Sequence, residues 1–230
     1  MSAEGNRKLI VAAIARFEAT RGYDWLQHPL KVVHANPLEI SRSCKFHVKT
    51  KQFAGSKWHD WGKIEDGDWD DTTTTLNPHL DKTAIHRSIL AHYVDGVSWE
   101  ETGVIDAKMA IIQKLGRIDG CFSRDDLIRR YEALDAVFDS IREDGFRLIT
   151  HPEDGTVPML QSVISVSITR YGELMLAEGG AHRLAIAKVL RLPTIPVFVM
   201  MRHARWQVVL DRCICCEVPV ALASHPDIMS

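Results

Sequence analysis

The sequence predicts an α+β protein in which a small sheet packs with helices. Apolar residues recur at helical spacing between about 81 and 146. An alternating segment at 163–170 and an apolar segment at 173–177 flank a Tyr-Gly turn, as they do in a β-hairpin. A glycine pair, a short apolar helix and a β-branched strand follow at 179–201. The order of helix, hairpin, glycine turn, helix and strand therefore predicts a mixed sheet with packed helices.

Composition favours one globular domain over 1–230. The chain has 230 residues, of which 46% are hydrophobic and 25% charged, with a formal net charge of −2. This balance indicates no global preference for a nucleic acid or a membrane, so any such binding would be local. No apolar run approaches the ~20 residues that span a bilayer. We interpret 6–21 as an amphipathic first helix rather than a signal peptide, and the odd number of cysteines, five, indicates reduced thiols and a cytoplasmic protein.

The amino-terminal elements begin with a strand. The segment L-K-V-V-H-A (30–35) is strand-like and ends at Asn36-Pro37, which is a turn signal. Further along, aspartates at 66, 68 and 70 begin like a calcium loop, but Asp71 stands where the loop requires glycine and Asn77 where it requires glutamate. We therefore expect no calcium site but an Asp-Gly turn between two short strands, with tryptophans packed beneath it.

Helices are predicted from about residue 81. The first carries an apolar face made of Ile85, Ile89, Leu90 and Tyr93. Ser98 and Glu101 match a capping box and predict the start of a second helix. Ser123 predicts the cap of a third, whose apolar stripe continues to Ile141. Near the carboxyl terminus, Cys213 and Cys215 are expected to share one face of a strand as small apolar side chains.

The segment E-G-G-A-H-R (178–183) predicts an anion site. Gly179 and Gly180 let a ligand approach the main chain closely. A helix that starts near His182 has first-turn N–H groups without intrahelical partners, and a phosphate is a natural guest there. Arg183 opposes the helix dipole by about 0.3–1 kcal/mol unless an anion is present. Two structural alternatives stay open, a hairpin-to-helix turn with a solvated Arg183 and a capping or packing role for His182.

The motifs around this turn resemble the ParB/sulfiredoxin superfamily. The resemblance is carried by a strand followed by G-x-H-R, L-A-x-A and L-x-x-I-P-V-x-V within 173–201. It extends to L-K-V-V-H-A-N-P-L-E-I and to the helix that contains S-I-R-E-D-G, so it covers 30–41 and 127–201. It implies that 42–126 is an inserted, mainly helical subdomain and that 202–230 is a carboxyl-terminal extension.

The resemblance also implies a function, the binding of ATP or CTP with Mg²⁺. Gly179, Gly180, His182 and Arg183 would bind the nucleotide phosphates. One branch of the superfamily phosphorylates small hydroxyl compounds, and such a phosphotransferase or a nucleotide hydrolase needs a carboxylate, for which Glu39 and then Glu178 are best placed. Either carboxylate has an ordinary surface role as its alternative.

One position departs from the superfamily pattern. Ala181 stands where sulfiredoxins carry a reactive cysteine and ParB proteins a glutamate. Without the cysteine, reduction of a sulfinic acid is not expected. Without the glutamate, hydrolysis of CTP in the manner of ParB proteins is not expected either.

Two other readings use other parts of the chain. A nucleic-acid-binding protein related to ParB-like nucleases would use the basic segments 45–53 and 201–206, the latter with Arg202, His203, Arg205 and Trp206. Two solvated strand ends explain the same residues. A non-catalytic adaptor would instead recruit a protein partner through the insertion, and Ala181 favours that reading.

Overall fold

The computed structural model describes residues 32–44, 63–71, 73, 78–150, 162–177, 179–215 and 218–229. Six strands are assigned, β1 Val32–Ala35, β2 Arg42–Ser43, β3 Lys63–Glu65, β4 Ser165–Ile168, β5 Leu174–Leu176 and β6 Ile195–His203. The α-helices of the same residues are α1 Ala84–Tyr93, α2 Val104–Leu115, α3 Arg124–Asp144, α4 Ala181–Val189, α5 Ala204–Cys215 and α6 Pro226–Met229. Short 3₁₀ turns occupy Pro37–Glu39, Leu80–Lys82 and Val220–Leu222.

The six strands form one mixed sheet in the order β1-β6-β4-β5-β2, and β3 also pairs with β6. β1 runs antiparallel to the first half of β6, while β3 runs parallel to its last residues. β4 lies parallel to β6 on the other side, and β4 and β5 form the predicted antiparallel hairpin. The α+β class is confirmed at this level.

Burial explains why β4 and β6 lie in the middle of the sheet. All four residues of β4 and eight of the nine residues of β6 are buried. Strands buried on both faces carry apolar residues at nearly every position instead of alternating ones. The run I-P-V-F-V-M-M of β6 is such a sequence, whereas β4, S-V-S-I, alternates serine with apolar residues although all four are buried.

The described residues divide into two compact units. The sheet unit lies within Met1–His79, Leu148–Gly180 and Pro193–Ser230, and the helical unit comprises Leu80–Arg147 and Ala181–Leu192. The helical unit holds α1 to α4, so it takes in residues on both sides of position 126, where the predicted insertion ends. The insertion itself stays a prediction.

The helical unit has its own apolar core, which includes Trp99, Ile105, Leu127 and Ile186. The predicted cap of α3 is confirmed, because Ser123 Oγ accepts from Asp126 N at 3.1 Å and Asp126 Oδ2 accepts from Ser123 N at 3.1 Å. Ile89 is fully buried, but Leu90 is 51% exposed, so its predicted place on the buried face was wrong. Adjacent helical residues point about 100° apart, so Leu90 lies beside the apolar face.

The predicted start of the second helix was too early. Ser98 Oγ and Glu101 Oε2 lie 2.6 Å apart, and Glu101 N donates to Ser98 Oγ at 3.3 Å, as in a capping box. The bonds close a turn, however, and α2 begins only at Val104. Gly103, with φ +76°, interrupts the helical backbone between them.

The carboxyl-terminal residues also differ from prediction. The chain leaves β6 at His203 and continues as α5, so Cys213 lies on a helix rather than on a strand. Trp206, Gln207 and Leu210 are buried, and this spacing is helical. Within the described residues, no helix combines the length and the apolar character needed to cross a membrane.

Candidate functional site

The two glycines of the predicted anion turn lie in the sheet unit and differ in their surroundings. Both have positive φ, +102° at Gly179 and +80° at Gly180. A Cβ on Gly180 would lie 2.7 Å from Ile164 Cα and 2.9 Å from the Val163 carbonyl oxygen. A Cβ on Gly179 would meet only Ser165 Oγ, at 3.9 Å. Gly180 is therefore required for close backbone packing, whereas the space at Gly179 is open.

The helix after the turn begins at Ala181, one residue before the predicted start. His182 and Arg183 lie in its first turn, which contains no acidic residue. Arg183 is partly buried, and this burial lowers the pKa of its guanidinium because the charged form loses hydration. The positive end of α4 therefore holds a cation that is not fully solvated.

His182 is held inside the helical unit by Tyr131. Its Nε2 lies 3.2 Å from the Tyr131 hydroxyl, and the two rings meet edge to face. Burial, and then the positive charges of Arg130 and Lys108, lower the pKa of His182 to about 4. The imidazole is therefore neutral at pH 7. If Tyr131 donates to Nε2, the ring proton lies on Nδ1, which is then the only ring donor.

More polar groups surround these two residues in the helical unit. Lys108 is buried and donates to Asp119 Oδ2 at 2.8 Å. Burial opposes ionisation of Asp119, but the hydrogen bond and the charge of Lys108 keep its pKa below the usual value. His86 is buried, and its Nε2 has no hydrogen-bond partner among the described residues. Burial and then the charge of Lys188 lower the pKa of His86 to about 4.

We expect the helical unit to lose stability in mild acid. In the unfolded chain His86 and His182 gain protons near pH 6.5, but in the folded chain only near pH 4. The folded state thus binds fewer protons in this window, and the free energy of unfolding falls as pH drops from 6.5 to 4. Each histidine contributes on the order of 3 kcal/mol at most. Urea titrations monitored by circular dichroism at several pH values measure this slope.

A matched pair of variants isolates the contribution of one histidine. His86→Gln should flatten the dependence of stability on pH by up to half. The same change at the exposed His34, which lies in the sheet unit, serves as the matched control. Equal slopes for wild type and His86→Gln would contradict the assignment.

The sheet unit contains a cavity of about 540 Å³. Its walls are formed by Glu39, Ser41, Arg42, Asp68, Asp70, Asp71, Thr169, Arg170, Tyr171, Glu173, Leu174 and Met175. Asn36 caps the 3₁₀ turn that carries Glu39, because its Oδ1 accepts from Leu38 N at 3.0 Å. Glu39 thus faces a cavity, although Gly179 and Gly180 are not among the lining residues. Glu178 lies outside the described residues.

Sequence reasoning missed an ion pair at this cavity, between Asp70 and Arg170. Asp70 is 5% exposed and accepts from Arg170 N at 2.7 Å and from its Nη2 at 2.6 Å. The same Nη2 donates to Gly67 O and to Asp68 Oδ1, each at 2.9 Å. Burial would raise the pKa of Asp70, but the hydrogen bonds from Arg170 hold it below its usual value.

The Asp-Gly segment is described only in part. Gly67 lies two residues after β3, with φ +93°, and Trp69 is buried, whereas Trp58 and Trp61 lie outside the described residues. Only the run of aspartates signalled an unusual segment, and nothing in the sequence linked it to an arginine about one hundred residues later.

The prediction that the segment 201–206 forms part of a nucleic-acid-binding surface was wrong for its buried residues. Arg202, His203 and Trp206 are 3%, 0% and 2% exposed, so they cannot track a phosphate backbone or stack on bases. Arg202 instead pairs with Asp227. Arg205 is exposed, and the segment 45–53 lies outside the described residues.

Comparisons with known proteins add no relative. No protein-family model matches the chain, and no curated protein or solved structure shows significant similarity to it. The resemblance to the ParB/sulfiredoxin superfamily therefore stays a prediction carried by the motifs in 30–41 and 127–201.

Proposed function

We propose that this chain binds the phosphates of a nucleotide, ATP or CTP, at Gly179–Arg183, in the manner of the ParB/sulfiredoxin superfamily. The observation that carries the proposal is the start of α4. A nine-residue helix begins directly after two glycines with positive φ and has Arg183, but no acidic residue, in its first turn. Backbone donors and a cation at the positive end of a helix are what a phosphate binds.

Energetics at Arg183 support an anionic partner. The helix dipole and the loss of hydration both oppose the charge of this side chain. A phosphate offers opposite charge and oxygen acceptors that match the planar guanidinium. Arg183 is therefore the residue whose replacement tests the proposal most directly.

His182 would contribute as a neutral donor rather than as a cation. Its low pKa keeps the ring uncharged at pH 7, and the Tyr131 hydroxyl fixes its Nε2 side. With Nε2 paired to Tyr131, only Nδ1 can face a ligand. When Nδ1 carries the ring proton, it can donate to a phosphate oxygen but cannot accept a proton as a general base. The proposal thus uses His182 for orientation.

The reaction proposed for the bound nucleotide is phosphoryl transfer or hydrolysis. Its carboxylate would be Glu39 or Glu178. Within the described ranges, no group of three or more His, Cys, Asp and Glu side chains could hold a metal ion. Mg²⁺ commonly arrives on the phosphates and needs only one or two protein carboxylates. We therefore propose that Mg²⁺ enters bound to the nucleotide, with Glu39 or Glu178 as its protein carboxylate, rather than occupying a metal site formed by the protein alone.

Calorimetric titration with ATP, CTP, GTP and ADP in the presence of Mg²⁺ tests the proposal. We expect binding of at least one nucleotide, and Arg183→Ala should weaken it at least tenfold because a charge-assisted hydrogen bond contributes about 1.5–3 kcal/mol. Arg117→Ala removes the same charge from an exposed site in the helical unit and should bind as the wild type does. Absence of binding, or equal affinity in Arg183→Ala and wild type, would overturn the proposal.

A further inference from the structure

The cavity of the sheet unit has the size of a small-molecule site and an unbalanced charge. Its volume of about 540 Å³ lies within the usual range for ligand pockets. Five carboxylates but only two guanidinium groups line it. Of the lining residues, the proposed function uses only Glu39, as a candidate carboxylate, and it assigns no ligand to the cavity itself.

The internal ion pair does not remove this excess of negative charge. Arg170 directs its hydrogen bonds at Asp70, Asp68 and a backbone carbonyl, so its charge is already compensated within the protein. The side chains of Glu39 and Glu173, by contrast, make no hydrogen bond or ion pair with any described residue. Two carboxylates that have no ion-pair partner among the described residues, in a concave wall, focus a negative potential into the cavity.

An aromatic side chain completes the lining. Tyr171 lies at the tip of the β4–β5 hairpin and is 79% exposed, which is unusual for so large a side chain. The face of a tyrosine ring attracts cations within about 6 Å. Arg170 fixes the strand end beside it through four hydrogen bonds to Asp70, so this wall is formed before any ligand arrives.

We infer that this cavity binds a small organic cation with primary amines, of the polyamine class. Glu39 and Glu173 pair with the ammonium groups, and Tyr171 contacts the cation through its ring. A flexible diamine or triamine fits better than a metal ion, because the carboxylates form no cluster of metal ligands among the described residues. The inference does not depend on the nucleotide, since none of residues 179–183 lines the cavity.

Titration of the full chain with spermidine and putrescine, followed by calorimetry, tests the inference. We expect saturable binding of about one spermidine per chain that weakens as salt is raised, as ion pairing requires. Glu39→Gln and Glu173→Gln should each weaken it about tenfold, and Tyr171→Ala several-fold. Glu132→Gln removes the same charge from the exposed surface of α3 and should leave the affinity unchanged.

Three results would overturn the inference. They are no saturable binding of either amine, equal affinity in wild type and both glutamine variants, and an equal loss in the Glu132→Gln control, which would mean non-specific charge attraction. Glu39 and Glu173 are exposed, so both variants should fold, and thermal unfolding verifies this. Nucleotide titration of Glu173→Gln and Tyr171→Ala, whose residues have no part in the proposed nucleotide site, separates the two proposals, because this inference predicts that amine binding weakens in them while nucleotide binding persists.

Discussion

Replacement of Asp227 by asparagine should lower the free energy of unfolding by about 3–5 kcal/mol, since it removes one partner of a buried ion pair. Asp227 is 0% exposed and Arg202 is 3% exposed. Asp227 Oδ1 accepts from Arg202 Nη2 at 2.6 Å, and its Oδ2 accepts from Arg202 Nε at 2.9 Å and from Trp206 Nε1 at 3.0 Å. An asparagine would leave the buried guanidinium without its counter-charge and would turn an NH₂ group towards these donors.

The loss would be a large share of the total, because single domains are stable by only about 5–15 kcal/mol. Guanidinium titrations monitored by tryptophan fluorescence measure it. The double replacement Asp227→Leu with Arg202→Met should regain part of the loss, since apolar residues of similar volume replace buried ion pairs at little cost, although Trp206 Nε1 then loses its acceptor. Asp139→Asn removes an exposed partner of Arg142 and should change stability by less than about 0.5 kcal/mol. A stability of Asp227→Asn equal to that of wild type would contradict the structural role assigned to the pair.

Elements with a complete local signal were predicted correctly from the sequence. The α3 helix has its cap, its acidic first turn and its apolar stripe within one stretch of residues, and the β4–β5 hairpin has its alternation and its turn. The strand β6 was also predicted, from its long apolar run. In each of these elements the residues that decide the structure are neighbours in the chain.

The wrong predictions concern residues whose interaction partners are far away in the sequence, and one helix whose start depends on the backbone conformation of a single residue. The local sequence predicts Arg202 as a basic residue on an exposed strand. Its burial is possible because it pairs with Asp227, which lies 25 residues further along the chain. The α2 helix starts late because Gly103 adopts a left-handed conformation that the capping residues before it do not reveal. Pairing of Asp70 with Arg170 depends on the sheet bringing two loops together, and no local pattern encodes it.

The candidate site divides in the same way. The glycine turn and the cationic first turn of α4 are local features, so their positions could be predicted. The environment of His182 could not, because Lys108, Asp119, Arg130 and Tyr131 come from three other segments of the helical unit. The protonation state of this histidine, and hence what it can offer a phosphate, follows only from the tertiary structure.

Replacement of Gly180 by alanine should destabilise the sheet unit more than the same change at Gly179. Both residues have positive φ, so an alanine at either costs roughly 1–3 kcal/mol in backbone strain. At Gly180 the new methyl group would also lie 2.7 Å from Ile164 Cα and 2.9 Å from Val163 O. Because these are backbone atoms beside the buried strand β4, they cannot turn away, and the overlap adds a further penalty of about 1–3 kcal/mol.

Urea titration of the two variants, combined with nucleotide titration, separates packing from binding. Gly179→Ala should remain folded, while its methyl group enters the open space at the turn and weakens nucleotide binding. Gly180→Ala should show its main effect as a lower midpoint of unfolding. Equal stabilities for the two variants would mean that the chain at Ile164 yields to the methyl group. The glycine pair would then be required by backbone conformation alone, and the close approach of Gly180 to β4 could not be the reason for the second glycine.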